Sequence, residues 1–63
     1  MRVFNTLKLR SRRFVYAIGN RPELYAWAAQ KGGVIVYDGP ATIQQRRQHG
    51  SRCWRLTLVV RTR

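Results

Sequence analysis

Sixty-three residues suffice for one domain but not for a large core, because a chain this short buries only about 60% of the surface its unfolded form exposes. Cys53 is the only cysteine, which excludes a secreted disulfide scaffold and makes a partner or a second copy a welcome source of stability. Thirteen basic residues against two acidic ones give a formal net charge of +11, a self-repelling balance that a polyanion would relieve.

The opening stretch MRVFNTLKLR has neither the apolar h-region of a signal peptide nor its small-residue cleavage site. Its alternation from Val3 to Arg10 reads as a half-buried strand, not as a basic transit peptide. After a break at Ser11 and Arg12, Arg13 to Ile18 alternates again. So short a break predicts an antiparallel hairpin. Phe14, Tyr16 and Ile18 are expected on the core side, with Arg13, Val15 and Ala17 on the other.

Gly19 ends the second strand and the clearest element follows, NRPELYAWAAQKGG. Asn20 offers a side-chain oxygen as N-cap, and Glu23 stands where a capping box needs it and where the helix dipole favours an acid. Pro22 falls in the first turn, where its missing N–H costs nothing. Leu24, Trp27 and Ala28 share one face. Gly32 and Gly33 supply a left-handed stop. A helix of about 11 residues is not stable alone, so it needs a sheet to lie on.

Val34-Ile35-Val36-Tyr37 is a continuous, largely β-branched run. It reads as a strand buried on both faces or central in the sheet. Asp38-Gly39-Pro40 reads as a turn. Residues 41–49, ATIQQRRQH, are ambiguous. As a helix they have good formers but only Ile43 as a large apolar anchor. As a strand they pair with the last one across His49-Gly50-Ser51 and make a basic ribbon, which the β-branched Thr42 and Ile43 favour. Cys53 to Arg61 is the last strand, with Trp54, Leu56, Leu58 and Val60 inward and Arg55, Thr57, Val59 and Arg61 outward. The fold expected is a small two-layer α+β domain, β-β-α-β-(β)-β, with a mostly antiparallel sheet and one helix packed on one face.

All the basic residues except Lys8 and Lys31 are arginines, whose flat donor fork suits phosphate or carboxylate. Nine of the eleven arginines form three clusters: Arg10, Arg12 and Arg13; Arg46, Arg47 and Arg52, with Gln44, Gln45 and Gln48 alongside; and Arg55, Arg61 and Arg63. Arginine beside glutamine on a projecting ribbon over 44–52 would be a groove reader, while isolated arginines position a backbone without reading sequence. Catalysis is poorly supplied. The chain has one histidine, one aspartate, one glutamate and one cysteine, so no triad or carboxylate pair can be assembled. No Cys/His metal spacing occurs, and no cofactor, metal or membrane partner is expected.

The leading expectation is a cytoplasmic nucleic-acid-binding protein, for DNA or RNA, with phosphate contacts from Arg10, Arg12, Arg13, Arg46, Arg47, Arg52, Arg55 and Arg61, joined by Gln45 and Gln48. The alternative is a regulator or inhibitor docking on an acidic protein surface, of a size and charge common on phages and plasmids. A homodimer is compatible with either.

Overall fold

The computed structural model describes residues 1–9 and 11–61, with side chains throughout except at 5–9. Six elements follow in order: β1 (Arg2–Leu9), β2 (Arg12–Gly19), α1 (Arg21–Lys31), β3 (Val34–Pro40), α2 (Ile43–His49) and β4 (Trp54–Arg61). The strands form one sheet in the order β1-β2-β4-β3, with every neighbouring pair antiparallel. β2 and β3 are both antiparallel to β4 and so run parallel to each other. Such a connection needs a long crossover, and α1 is that crossover. The chain is the small α+β domain expected, with a second helix in place of the uncertain strand.

α1 begins and ends where its cap residues place it. The Asn20 side chain accepts the backbone N–H of Glu23 at 3.1 Å. Gly32, at φ 71°, closes the last turn with its N–H on the Ala28 carbonyl. That left-handed conformation is strained for any residue with a Cβ. Leu24, Trp27 and Ala28 are buried. They pack on Val15 and Ala17 of β2 and Leu56 and Leu58 of β4, with Trp54 and Val60 at the margin. Removing Leu24 and Trp27 from water stabilises the fold by about 1.5–3 kcal/mol each.

The β2 alternation is therefore the reverse of that expected. Val15 and Ala17, with Arg13 in phase, lie on the α1 side. Phe14, Tyr16 and Ile18 lie on the other. Small residues sit under the helix because Trp27 and Leu24 already fill that layer, and larger ones there would overpack it. Leu56, Leu58, Trp54 and Val60 of β4 do face α1, as their alternation indicates.

Val34 to Tyr37 is not central. β3 is an edge strand, and Val34 is 67% and Val36 53% exposed. The central place beside β2 and β3 belongs to β4, whose Leu56, Thr57 and Leu58 are buried. The Asp38-Gly39-Pro40 segment, expected as a turn, continues β3 and pairs with Leu56, Arg55 and Trp54. Pro40 is tolerated there as the last residue of an edge strand, where no ladder donor is required of it.

Residues 43–49 form a helix, not a strand, so no basic ribbon exists over 44–52. A complete capping box decides this. The Thr42 hydroxyl accepts from the Gln45 N–H, and the Gln45 side chain accepts from the Thr42 N–H, both at 3.1 Å. Ile43 is no anchor, at 66% exposed. α2 is held instead by a polar bond, Gln45 Nε2 to the Tyr16 hydroxyl at 3.3 Å. The small residues flanking it, Ala41 and Cys53, are buried together with Ile18, and the Ala41 N–H donates to the Cys53 carbonyl.

Candidate functional site

α1 covers one sheet face, and the other is only partly covered, at one end, by α2. The open face can be read across strands. Arg12 of β2 lies opposite Arg61 of β4, Phe14 opposite Val59, Tyr16 opposite Thr57, and Ile18 opposite Arg55. Phe4 of β1 lies opposite Tyr16. None of these residues is acidic. The chain's two acids lie elsewhere, Glu23 in the first turn of α1 and Asp38 hydrogen-bonded to Tyr25 of α1 and to Trp54.

A ladder of rings and one guanidinium crosses this face, one residue from each strand. Phe4 stacks on Tyr16 with ring centres 4.9 Å apart and planes inclined by 16°. The Arg55 guanidinium lies 4.2 Å from the Tyr16 ring centre and 5.7 Å from that of Tyr37. Arg55 Nε donates to the Thr57 hydroxyl at 3.3 Å. Tyr37 is fixed in turn by donating its hydroxyl to the Pro40 carbonyl at 2.7 Å. Its ring lies so close over Gly39 that a Cβ there would approach the phenol oxygen to 2.8 Å, so only glycine admits this contact. Arg55 thus has its plane held by cation–π contact and its Nε engaged, which leaves the terminal nitrogens of a pre-organised fork.

Arg55 belongs to the wall of a groove of about 580 Å³ between β3, β4 and α2, lined by Phe14, Tyr37, Ile43, Arg46 and Thr57 among others. The groove has two arginines and no acid. Arg46 is half-buried and its Nε is a buried donor without an acceptor among the described residues. Close by, Cys53 is a buried free thiol. Burial raises its pKa above the ordinary thiol value, and the Arg46 charge opposes that rise.

The remaining candidate residues are dispersed. Arg12 and Arg61 meet at the far end of the open face, both exposed; like charges directly opposite destabilise a sheet, so an anion between them would stabilise it. Arg13, in phase with Val15, is on the α1 side, and its Nε is a buried donor without an acceptor among the described residues. Arg47 is exposed beside Ile43 and Ser51. Gln48 is exposed on α2, whereas Gln45 is engaged in capping and in the Tyr16 bond. Arg52 lines a separate depression of about 440 Å³ with Arg2, Asn20, Glu23 and His49, where an acid interrupts the positive field. Arg10 and Arg63 lie outside the described residues. The sequence alone places Tyr16 on the core side and Tyr37 on a buried or central strand, not on a binding face, and it does not point to Arg21, whose guanidinium lies 4.6 Å from the Trp54 ring centre.

Among the described residues, no three His, Cys, Asp or Glu side chains cluster, and no helix is long and apolar enough to cross a membrane. Comparison of the chain with protein-family models, curated proteins and solved structures finds no match.

Proposed function

We propose that the protein binds nucleic acid on the open face of its sheet. The observation that carries this reading is the sorting of charge and rings: arginines and aromatic side chains share a face from which both of the chain's acids are absent. Arg12, Arg46, Arg55 and Arg61 supply phosphate contacts, and exposed ring surface supplies a partner for bases. Groove reading by a ribbon over 44–52 is not part of the proposal, since that segment is α2. Arg47 and Gln48 on α2 extend the positive surface beyond the groove.

The test is the salt dependence of binding to a labelled oligonucleotide. Changing Arg46 and Arg47 together to Ala should weaken binding and reduce the slope of log K against log salt by about 1.4–1.8, the counterions of two phosphates. An unchanged slope overturns the assignment of those residues.

A second reading is supported by a different observation. Val34, Ile35 and Val36 are exposed on β3, and Ile43 stands exposed beside Arg46 and Arg47. Apolar side chains rimmed by arginine suit an acidic protein surface. In that case Ile35→Gln, at an exposed position outside the groove, would weaken binding to the target and leave oligonucleotide binding as it was.

A further inference from the structure

We infer that the groove beside α2 holds one unpaired nucleotide, so that the protein takes its nucleic acid as a single strand. The inference rests on the nucleic-acid reading and specifies which form of the polymer the face accepts.

Three observations lead there. The first is composition. Arg46 and Arg55 bring cationic forks to a groove whose other walls include Phe14, Val36, Tyr37 and Ile43. A phosphate on the arginines leaves its attached base against the apolar wall, and a nucleotide is the unit of the polymer that combines the two. The volume of about 580 Å³ lies inside the range of small-ligand pockets, about 300–1,000 Å³.

The second is pre-organisation. An exposed arginine ordinarily loses side-chain freedom when it captures a phosphate. Arg55 has lost it already, between Tyr16 and Tyr37 and on the Thr57 hydroxyl. Its fork is presented at a fixed angle, as recognition of a phosphate at a set position requires.

The third is the shape of the face as a whole. Bases in a duplex are stacked on one another and offer only their edges, and reading those edges requires an element that enters a groove. The open face is a sheet surface bearing rings, and a sheet bearing rings receives bases that have left the stack. Along β4, Arg61 of the Arg12–Arg61 pair lies six positions beyond Arg55, a distance of about 20 Å at the usual rise per residue. A strand seated in the groove therefore meets a second phosphate site further along the same face, after crossing Thr57, Phe14 and Val59.

The experiment is fluorescence anisotropy at physiological salt. It uses a labelled ten-nucleotide single strand, as DNA and as RNA, and the duplexes of the same sequence. The unmodified protein is compared with Ile43→Ala and Tyr37→Ala. Ile43 is exposed and makes no core contact, so that variant folds even if Tyr37→Ala does not. The expected result is single-strand binding at least tenfold tighter than duplex binding, weakened about tenfold by Tyr37→Ala, which removes a ring, and by a smaller factor by Ile43→Ala, with duplex binding unmoved. Equal affinity for single strand and duplex, or single-strand binding indifferent to Ile43→Ala, overturns the inference and leaves the nucleic-acid reading standing. Absence of binding to every form overturns that reading as well.

Discussion

Asp38 is the only acid on a strand, and two donors hold it away from the basic face. Trp54 Nε1 donates to its Oδ1 at 2.6 Å, and the Tyr25 hydroxyl lies 3.0 and 2.9 Å from its two oxygens. The Trp54 bond, then the Tyr25 bond, lower its pKa, with the Arg21 charge adding to them and partial desolvation opposing. A carboxylate whose pKa is depressed by folding contributes stability above its unfolded value, about 3.9, and loses it as pH falls through the folded one. Asp38→Asn keeps an acceptor oxygen and removes the charge. The stability difference between the two proteins should therefore be constant above about pH 5 and narrow steadily below pH 4. Urea denaturation followed by tryptophan fluorescence from pH 2 to pH 7 measures it. A gap that does not narrow would show that the carboxylate's charge contributes nothing through these bonds.

Among the elements, α1 was the most legible, because each of its signals is local: Asn20 and Gly32 at the ends, and Leu24, Trp27 and Ala28 at helical spacing. α2 is hidden in the sequence for the opposite reason. A short helix is ordinarily recognised by a stripe of large apolar residues, and this one is held by the Gln45–Tyr16 bond and by small buried neighbours, Ala41 and Cys53. The rank of a strand within the sheet was equally hidden. β-branched residues favour any extended position, so Val34 to Val36 suit an edge as well as a centre. On the open face, the arginines were evident from composition. The ladder of Phe4, Tyr16, Arg55 and Tyr37 was not, because it exists only once four distant segments pair. These features make α2 dependent on its cap. Thr42→Ala removes the acceptor for the Gln45 N–H, and an N-cap substitution of this kind costs about 1 kcal/mol. Hydrogen exchange at the Arg46 and Gly50 amides, which close the helix on Thr42 and Arg46, should accelerate while the amides of α1 keep their protection. Unchanged exchange in α2 would mean that the Tyr16 bond alone fixes the helix.

For the molecule as a whole, two features oppose each other. A free edge with exposed apolar side chains is a template for pairing with another chain. Of the two edges, β1 carries Arg2 and Lys8, whereas the run from Val34 to Tyr37 on β3 carries no charge at all. Against association stands a net charge of +11 per copy, and bringing two such copies together costs Coulomb energy that depends on screening. The Debye length falls from about 30 Å at 0.01 M salt to about 3 Å at 1 M. The long-range repulsion therefore vanishes over a range in which short-range strand pairing and apolar contact persist. Static light scattering should accordingly find single copies at low ionic strength and rising average mass as salt increases, the reverse of an assembly held by ion pairs. Val36→Lys places a charge at the centre of the β3 edge, on a side chain that is already exposed, and should hold the mass at that of one copy throughout. Association that weakens with salt, or that proceeds equally in Val36→Lys, would show that β3 is not the route. A bound polyanion would screen the same charge, so an oligonucleotide long enough for two copies should promote pairing in the unmodified protein at low salt.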